Sequence, residues 1–323
     1  MNLKAPIELV DFEPKTGNIL KEVLAGLSKS QKTIHPKFLY DKKGSEFFEK
    51  ICSLEEYYPT RSELQILKKN AKEISKIIGP EALVIEPGSG SGEKVRFLLP
   101  HLQYPVGYVP VEISKEALIQ MTEELQEEYP WLHVLPVCAD FTQDLELPLT
   151  IEFRKGKKVL FFPGSTIGNL HPDEAILFLK RYGKMLNSGG GLLIGVDVKK
   201  DKRIIERAYN DSAGITAAFN LNLLERLNRE VSASFDIKSF EHEAFYNEEL
   251  GRVEMHLKSK IPQLVRVNQT VFRFHEGETI HTESSYKYSV EEFCELCAKA
   301  KFKIRKFWQD PEKLFCVYYF EKE

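Results

Sequence analysis

The sequence predicts an α/β protein built on a parallel, doubly wound sheet, with a second unit assembled from the N-terminal segment and a late insertion. Three observations carry this. Between residues 62 and 198, short apolar strands alternate with amphipathic helices, the pattern of a parallel sheet covered on both faces. The first of those strands runs into a turn with three glycines, Gly88, Gly90 and Gly92. After Asp197 the alternation stops, and the chain becomes first helical and then strand-rich before a helix and two strands close it.

Taken in order, "NILKEVLAGLSKSQ" has apolar residues at helical spacing. "GSEFFEKICSLEEYYPT" predicts a helix capped by Ser45 and ending before Pro59. "SELQILKKNAKEISKII" is a helix leading into a strand over Ala82–Glu86, and a further helix over Glu93–Leu99 follows the glycines. Strands recur over Val106–Glu112, His133–Asp140, Lys158–Ser165 and Gly190–Val198, with helices "SKEALIQMTEELQEEY" and "HPDEAILFLKRYGKML" among them. "DKRIIERAYNDSAGITAAFNLNLLERLNREV" is one long helical stretch, too long for a simple crossover. "SFEHEAFYN", "RVEMHLKSK", "LVRVNQTVFRFH" and "TIHTESSYKYS" follow as strands. The last helix, "VEEFCELCAKAKF", and strands "KIRKFWQD" and "LFCVYYFEK" predict a sheet closed by an antiparallel hairpin. The sheet domain is thus 62–198 with 287–323, and the second domain is 1–61 with 199–286.

A chain of 323 residues with 42% apolar and 29% charged content is an ordinary globular one with ample core. A formal net charge of −3 implies no general attraction to nucleic acid, and no apolar run suggests a membrane partner. The N-terminal stretch has early acids and no apolar core, so no secretory signal is predicted. Five dispersed cysteines fit reduced thiols in the cytoplasm. Cys294 and Cys297 fall one turn apart on a helix with Phe293 and Leu296, and no second cysteine pair completes a zinc site. No histidine spacing suggests a metal, and none is expected. A monomer is the default assembly.

The glycine turn limits the ligand. Val95 stands where a phosphate-binding loop needs a hydroxyl for Mg²⁺. Glu93 stands where a dinucleotide fingerprint needs its third glycine, and an acid there repels a pyrophosphate. S-adenosylmethionine has no phosphate, and its sulfonium tolerates the acid Glu86 at the first strand's end. Glu112, ending the second strand, can grip both ribose hydroxyls; Asp140, ending the third, lies where an adenine would, with Phe141 able to cover the ring. Three acids at successive strand ends fall on the ligand-binding edge of such a sheet.

"FLYDKKGSEFFEKICSLEEYYPTRSE", "EPGSGSGEK", "FFPGSTIGNL", "AYNDSAGITAAFN", "RVEMHL" and "TESSYKYS" resemble the L-histidine Nα-methyltransferases of ergothioneine biosynthesis, from about Pro36 to the C-terminus. The resemblance implies a Rossmann-like class I methyltransferase sheet with a second domain. It implies that Tyr57, Gly88, Lys94, Glu112, Asp140 and Phe141 line the S-adenosylmethionine pocket; Glu112 stands where the family usually has Asp. It further implies that Asn169 and Tyr209 hold the substrate carboxylate, Glu283 and Ser285 the imidazole, that Tyr57, Phe219 and Met255 shape the substrate site, and that Tyr40 lies near the α-amine as the candidate catalytic group. Those roles suit the chemistry. Neutral donors hold the carboxylate without a further cation, and an acceptor plus a hydroxyl two apart on a strand suit an imidazole. The expected reaction is trimethylation of the α-amine of L-histidine to hercynine. Alternatives are another aromatic or indole acceptor, a nicotinamide-dependent dehydrogenase, and a non-catalytic binder of the donor.

Overall fold

In a computed structural model, residues 8–13, 18–147, 156–186 and 188–323 are described. The reading of the N-terminus as no secretory signal lies partly outside them. They form two compact units: one from Met1–Pro14, Ser62–Val198 and Tyr288–Glu323, the other from Lys15–Arg61 and Lys199–Lys287. Residues 8–13 therefore group with the sheet rather than with the segment up to 61. The cause is β1 (Val10–Asp11), which pairs in parallel with residues 137–138.

The remaining strands are β2 (Lys32–Thr33), β3 (Ala82–Pro87), β4 (Gly107–Glu112), β5 (Val137–Cys138), β6 (Lys157–Phe162), β7 (Gly191–Asp197), β8 (Phe240–Asn247), β9 (Arg252–Ser259), β10 (Gln263–Val267), β11 (Thr270–Phe274), β12 (Thr279–Tyr286), β13 (Phe302–Gln309) and β14 (Phe315–Lys322). The helices are α1 (Ile19–Leu27), α2 (Lys42–Cys52), α3 (Tyr58–Ile78), α4 (Lys115–Glu128), α5 (Pro172–Leu186), α6 (Lys202–Tyr209), α7 (Ile215–Glu230) and α8 (Val290–Lys299).

The sheet unit has the order β1-β5-β4-β3-β6-β7-β14-β13. All neighbours are parallel up to β7; β14 enters antiparallel between β7 and β13. Every residue of β3 and β7 is buried, which is why each is apolar up to the acid near its end, Glu86 and Asp197. The strand predicted over His133–Asp140 shrinks to β5 and an isolated bridge at Val134, because Pro136 has no N–H for the ladder. The helix predicted after the glycines is two short 3₁₀ turns, Val95–Phe97 and Leu99–His101; no side chain caps either, and Pro100, in the first turn of the second, has no N–H to continue the ladder from the first.

The other unit holds a four-stranded sheet, β2-β12-β9-β8, and the hairpin β10–β11. The N-cap of α2 is Asp41, accepting the Gly44 N–H at 2.8 Å, not Ser45. Pro59 does not stop a helix but stands in the first turn of α3, where a missing N–H leaves no bond unmade. The long helical stretch is two helices, since Asp211 turns back to accept the N–H groups of Ile215 and Thr216 and begins α7. In β12 the register to β9 shifts between His281 and Glu283, which sets Glu283 opposite Met255.

Candidate functional site

Within the sheet unit, the turn after β3 holds Gly88, Gly90 and Gly92 at φ of 68°, 52° and 66°, which L side chains rarely adopt. A Cβ on Gly88 would come within 3.2 Å of the Phe141 ring, so that ring lies on the turn. A Cβ on Gly90 would meet nothing within 4 Å, so backbone there is open to a ligand. Glu112 Oε2 accepts the Gly90 N–H at 3.2 Å, while Oε1 accepts the Ile113 N–H at 2.8 Å. This ties the end of β4 to the turn and leaves carboxylate lone pairs for a diol. Ser89 is buried and among the described residues its Oγ has no hydrogen-bond partner, a polar atom that a ligand in the turn would satisfy. Asp140 Oδ1 takes both the N–H and the O–H of Thr142, which fixes its carboxylate. These features fit S-adenosylmethionine.

Lys94 does not extend freely from the turn. Its Nζ lies 2.7 Å from Glu63 Oε2, and the Glu63 carboxylate also accepts the Gly164 N–H at 2.9 and 3.0 Å. Glu63 thus joins the glycine turn to the loop after β6. In that loop Ser165 adopts φ 57° and its hydroxyl accepts the Asp197 N–H at 2.9 Å. Asn169 ends the 3₁₀ turn Thr166–Asn169, and among the described residues its side chain makes no hydrogen bond, so it is not spent on capping α5. Glu86 is buried rather than ligand-facing: the Tyr108 hydroxyl donates to it at 2.6 Å.

The second unit holds the remaining predicted residues. Tyr40 packs edge-on to Phe48 and Phe219, each at 5.5 Å, and Tyr57 to Tyr209 at 6.3 Å. Tyr40 exposes 39% of its surface, yet burial around its hydroxyl pushes the phenol well above its ordinary range, and the Glu283 charge adds to the rise. Phe219, Met255, Glu283 and Ser285 are buried. Burial pushes Glu283 up to about 7 against the pull of Lys287, and among the described residues its buried Oε2 has no hydrogen-bond partner. Sequence reasoning missed Lys287, whose Nζ lies 3.0 Å from both Tyr209 Oη and Ser285 Oγ. It also missed Glu63, although Gly195 inside β7 was a signal: a Cβ there would lie 1.8 Å from Glu63 Oε1.

Among the described residues Glu254, His256 and His281 form a group that could hold a metal. Its donors are already engaged. Glu254 accepts from Arg252 and is bonded to His256 at 3.0 Å, and His281 Nε2 is bonded to the Glu283 carbonyl at 2.9 Å. The group reads as a polar network that backs Glu283.

Residues 19–322 match the family profile described as "Histidine-specific methyltransferase, SAM-dependent". The chain is 39% identical to a histidine N-alpha-methyltransferase of Mycolicibacterium smegmatis over 90% of its length and 91% of that protein. It is 28% identical to ergothioneine biosynthesis protein 1 of Schizosaccharomyces pombe, over 88% of this chain and 38% of that protein. It is also 28% identical to a 4-dimethylallyltryptophan N-methyltransferase of Aspergillus fumigatus, over 97% and 96%.

Proposed function

The chain belongs to the histidine-specific, S-adenosylmethionine-dependent methyltransferases and carries their class I sheet, and from that premise we propose that it methylates the α-amine of free L-histidine three times, giving hercynine for ergothioneine biosynthesis. The observation that carries this reading is the carboxylate of Glu283. It is buried, one oxygen has no hydrogen-bond partner among the described residues, and Ser285 stands two residues along the same strand. Leaving such an atom unsatisfied costs about 1–3 kcal/mol, so it is kept where a ligand completes it.

An imidazole N–H donates to Glu283, and Ser285 serves the other ring nitrogen. Met255 and Phe219 supply the apolar walls. Asn169 and the Tyr209 hydroxyl donate to the substrate carboxylate. The unit of Lys15–Arg61 and Lys199–Lys287 is then the substrate-binding one. The donor side is the glycine turn with Glu112, Asp140 and Phe141, while Lys94 acts through its pair with Glu63. Bound S-adenosylmethionine supplies an electrophilic methyl group. The chain's own task is alignment of the nitrogen with it. Tyr40, held protonated, is a poor base; its oxygen instead accepts a hydrogen bond from the amine, whose proton leaves to water. Five free thiols, three of them buried, fit the reducing cytoplasm.

An indole acceptor, as the name of the Aspergillus fumigatus relative implies for that protein, has one N–H and no second ring nitrogen. It would leave Ser285 without its partner, which favours histidine. Calorimetric titration tests the assignment. S-adenosylhomocysteine and L-histidine are expected to bind and NAD not to. Glu283→Ala should weaken histidine about 10- to 150-fold, the loss of a charge-assisted bond of ~1.5–3 kcal/mol, and leave S-adenosylhomocysteine unchanged. Equal losses for both ligands would sink it.

A further inference from the structure

Lys287, just past β12, is 2% exposed, and its ammonium lies 3.0 Å from Ser285 Oγ and 3.0 Å from Tyr209 Oη. It also sits over the Tyr209 ring, 5.0 Å from the centroid, and its backbone N–H donates to Gly251 at 2.9 Å. The residue is thus fixed at both ends. An ammonium carries three donors and no acceptor. It takes a lone pair of each hydroxyl oxygen and turns the hydroxyl hydrogens away from itself. Ser285 is thereby set as a donor toward whatever faces it, and the Tyr209 hydroxyl takes donor polarity as well.

The charges agree with this polarity. The Lys287 charge acts on Glu283, and within this unit the Glu283 charge acts in turn on the Tyr40 and Tyr57 phenols. Burial holds the Tyr40 and Tyr57 phenols protonated. Where Glu283 is ionised, its carboxylate is pulled on by the Lys287 ammonium, and where burial keeps it protonated it carries no charge to balance a second cation. An imidazolium would add an uncompensated charge out of water, one hydroxyl away from the ammonium, a costly arrangement. A neutral imidazole adds none. Its N–H meets the Glu283 carboxylate, and its bare nitrogen meets the Ser285 O–H.

We propose that Lys287 is a positioning residue that sets Ser285 and Tyr209 as donors, so that the site accepts histidine with its imidazole neutral and in a single tautomer. This rests on the histidine reading above. It makes specificity a matter of protonation state as well as shape: a ligand whose ring presents N–H groups on both sides, or a cationic side chain of similar size, meets a donor and an ammonium where it needs an acceptor.

Nitrogen NMR of imidazole-¹⁵N-labelled histidine, bound to enzyme saturated with S-adenosylhomocysteine, tests it across a pH series. Free imidazole titrates at ~6.5. In the complex one protonated and one bare ring nitrogen are expected to persist at least about one pH unit below that, a tenfold bias against imidazolium. Lys287→Met should raise the bound pKa by about one unit or more and weaken histidine more than S-adenosylhomocysteine. Two protonated nitrogens in the wild-type complex at or above pH ~6.5, or an unchanged titration in Lys287→Met, overturns the proposal. If the variant does not fold, the wild-type titration alone decides. If S-adenosylhomocysteine binds but no histidine signal is perturbed, the histidine reading itself fails and this one with it.

Discussion

Glu86 and Glu283 are both buried carboxylates that burial holds above their ordinary range. Glu86 sits where a strand-end acid should meet the ligand, yet the pleat turns it inward to the Tyr108 hydroxyl. Burial pushes it up to about 8, against the pull of that hydrogen bond and of Lys94. An unfolded Glu titrates at ~4.3. Between that value and about 8 the native state binds more protons than the unfolded one, so this group's contribution to stability falls as pH rises through the window and stays low above it. Glu86→Gln imitates the protonated form, with a carbonyl for Tyr108 and no charge to bury. It should raise the melting temperature by a few degrees above pH ~8.5, corresponding to a few kcal/mol at most, and change it little near pH ~5. Parallel melting curves for variant and wild type across that range, with no convergence at low pH, would contradict the assignment.

At the scale of elements, periodicity located the helices and strands of the sheet unit, and local chemistry set their ends. Ser114 and Ser289 cap α4 and α8 where capping residues are visible in the sequence. Elements that failed did so through single residues: Pro136 cut a strand, and Asp211 divided a helix by capping its second half. Lys287 was illegible because a lysine alternating in "SSYKYS" reads as a surface strand residue; only the fold shows it buried. The glycine turn was legible as a turn of left-handed backbone because three glycines in five residues admit positive φ without the clash of a Cβ. Gly88→Val tests its role. Valine at φ 68° costs about 1–2 kcal/mol in backbone strain, and its branches would press on the Phe141 ring, which the existing Cβ position would already approach to 3.2 Å. The variant should keep its circular dichroism and lose S-adenosylhomocysteine binding at least tenfold. Normal binding by a folded variant would move the donor site elsewhere.

At the scale of the whole molecule, the break in rhythm after Asp197 marked where the chain leaves the sheet, and the return at the C-terminal hairpin marked where it rejoins. The two-residue strand β1 carried no such signal, being too short for any period. The proposed division of labour between the units has a consequence for the number of methyl groups transferred. Each methyl makes the α-nitrogen bulkier and removes an N–H donor. A site gripping the amine by several hydrogen bonds would stop after one turn. Here the proposed anchors are the carboxylate donors Asn169 and Tyr209 and the imidazole partners Glu283 and Ser285, and none of them holds the nitrogen. Tyr40 offers a single oxygen near it, and aromatic neighbours Phe48 and Phe219 tolerate an apolar, increasingly cationic group. Nα-methylhistidine and Nα,Nα-dimethylhistidine should therefore be competent substrates, with KM values no higher than that of histidine. Three methyls leave a nitrogen with no lone pair, so the sequence of transfers ends there by its own chemistry. Mass spectrometry of a reaction with excess donor should show the trimethylated product accumulating at the expense of both intermediates. A reaction that halts at monomethylhistidine at long times would mean that a residue of the site holds the amine after all, and Tyr40→Phe would be the variant to release it.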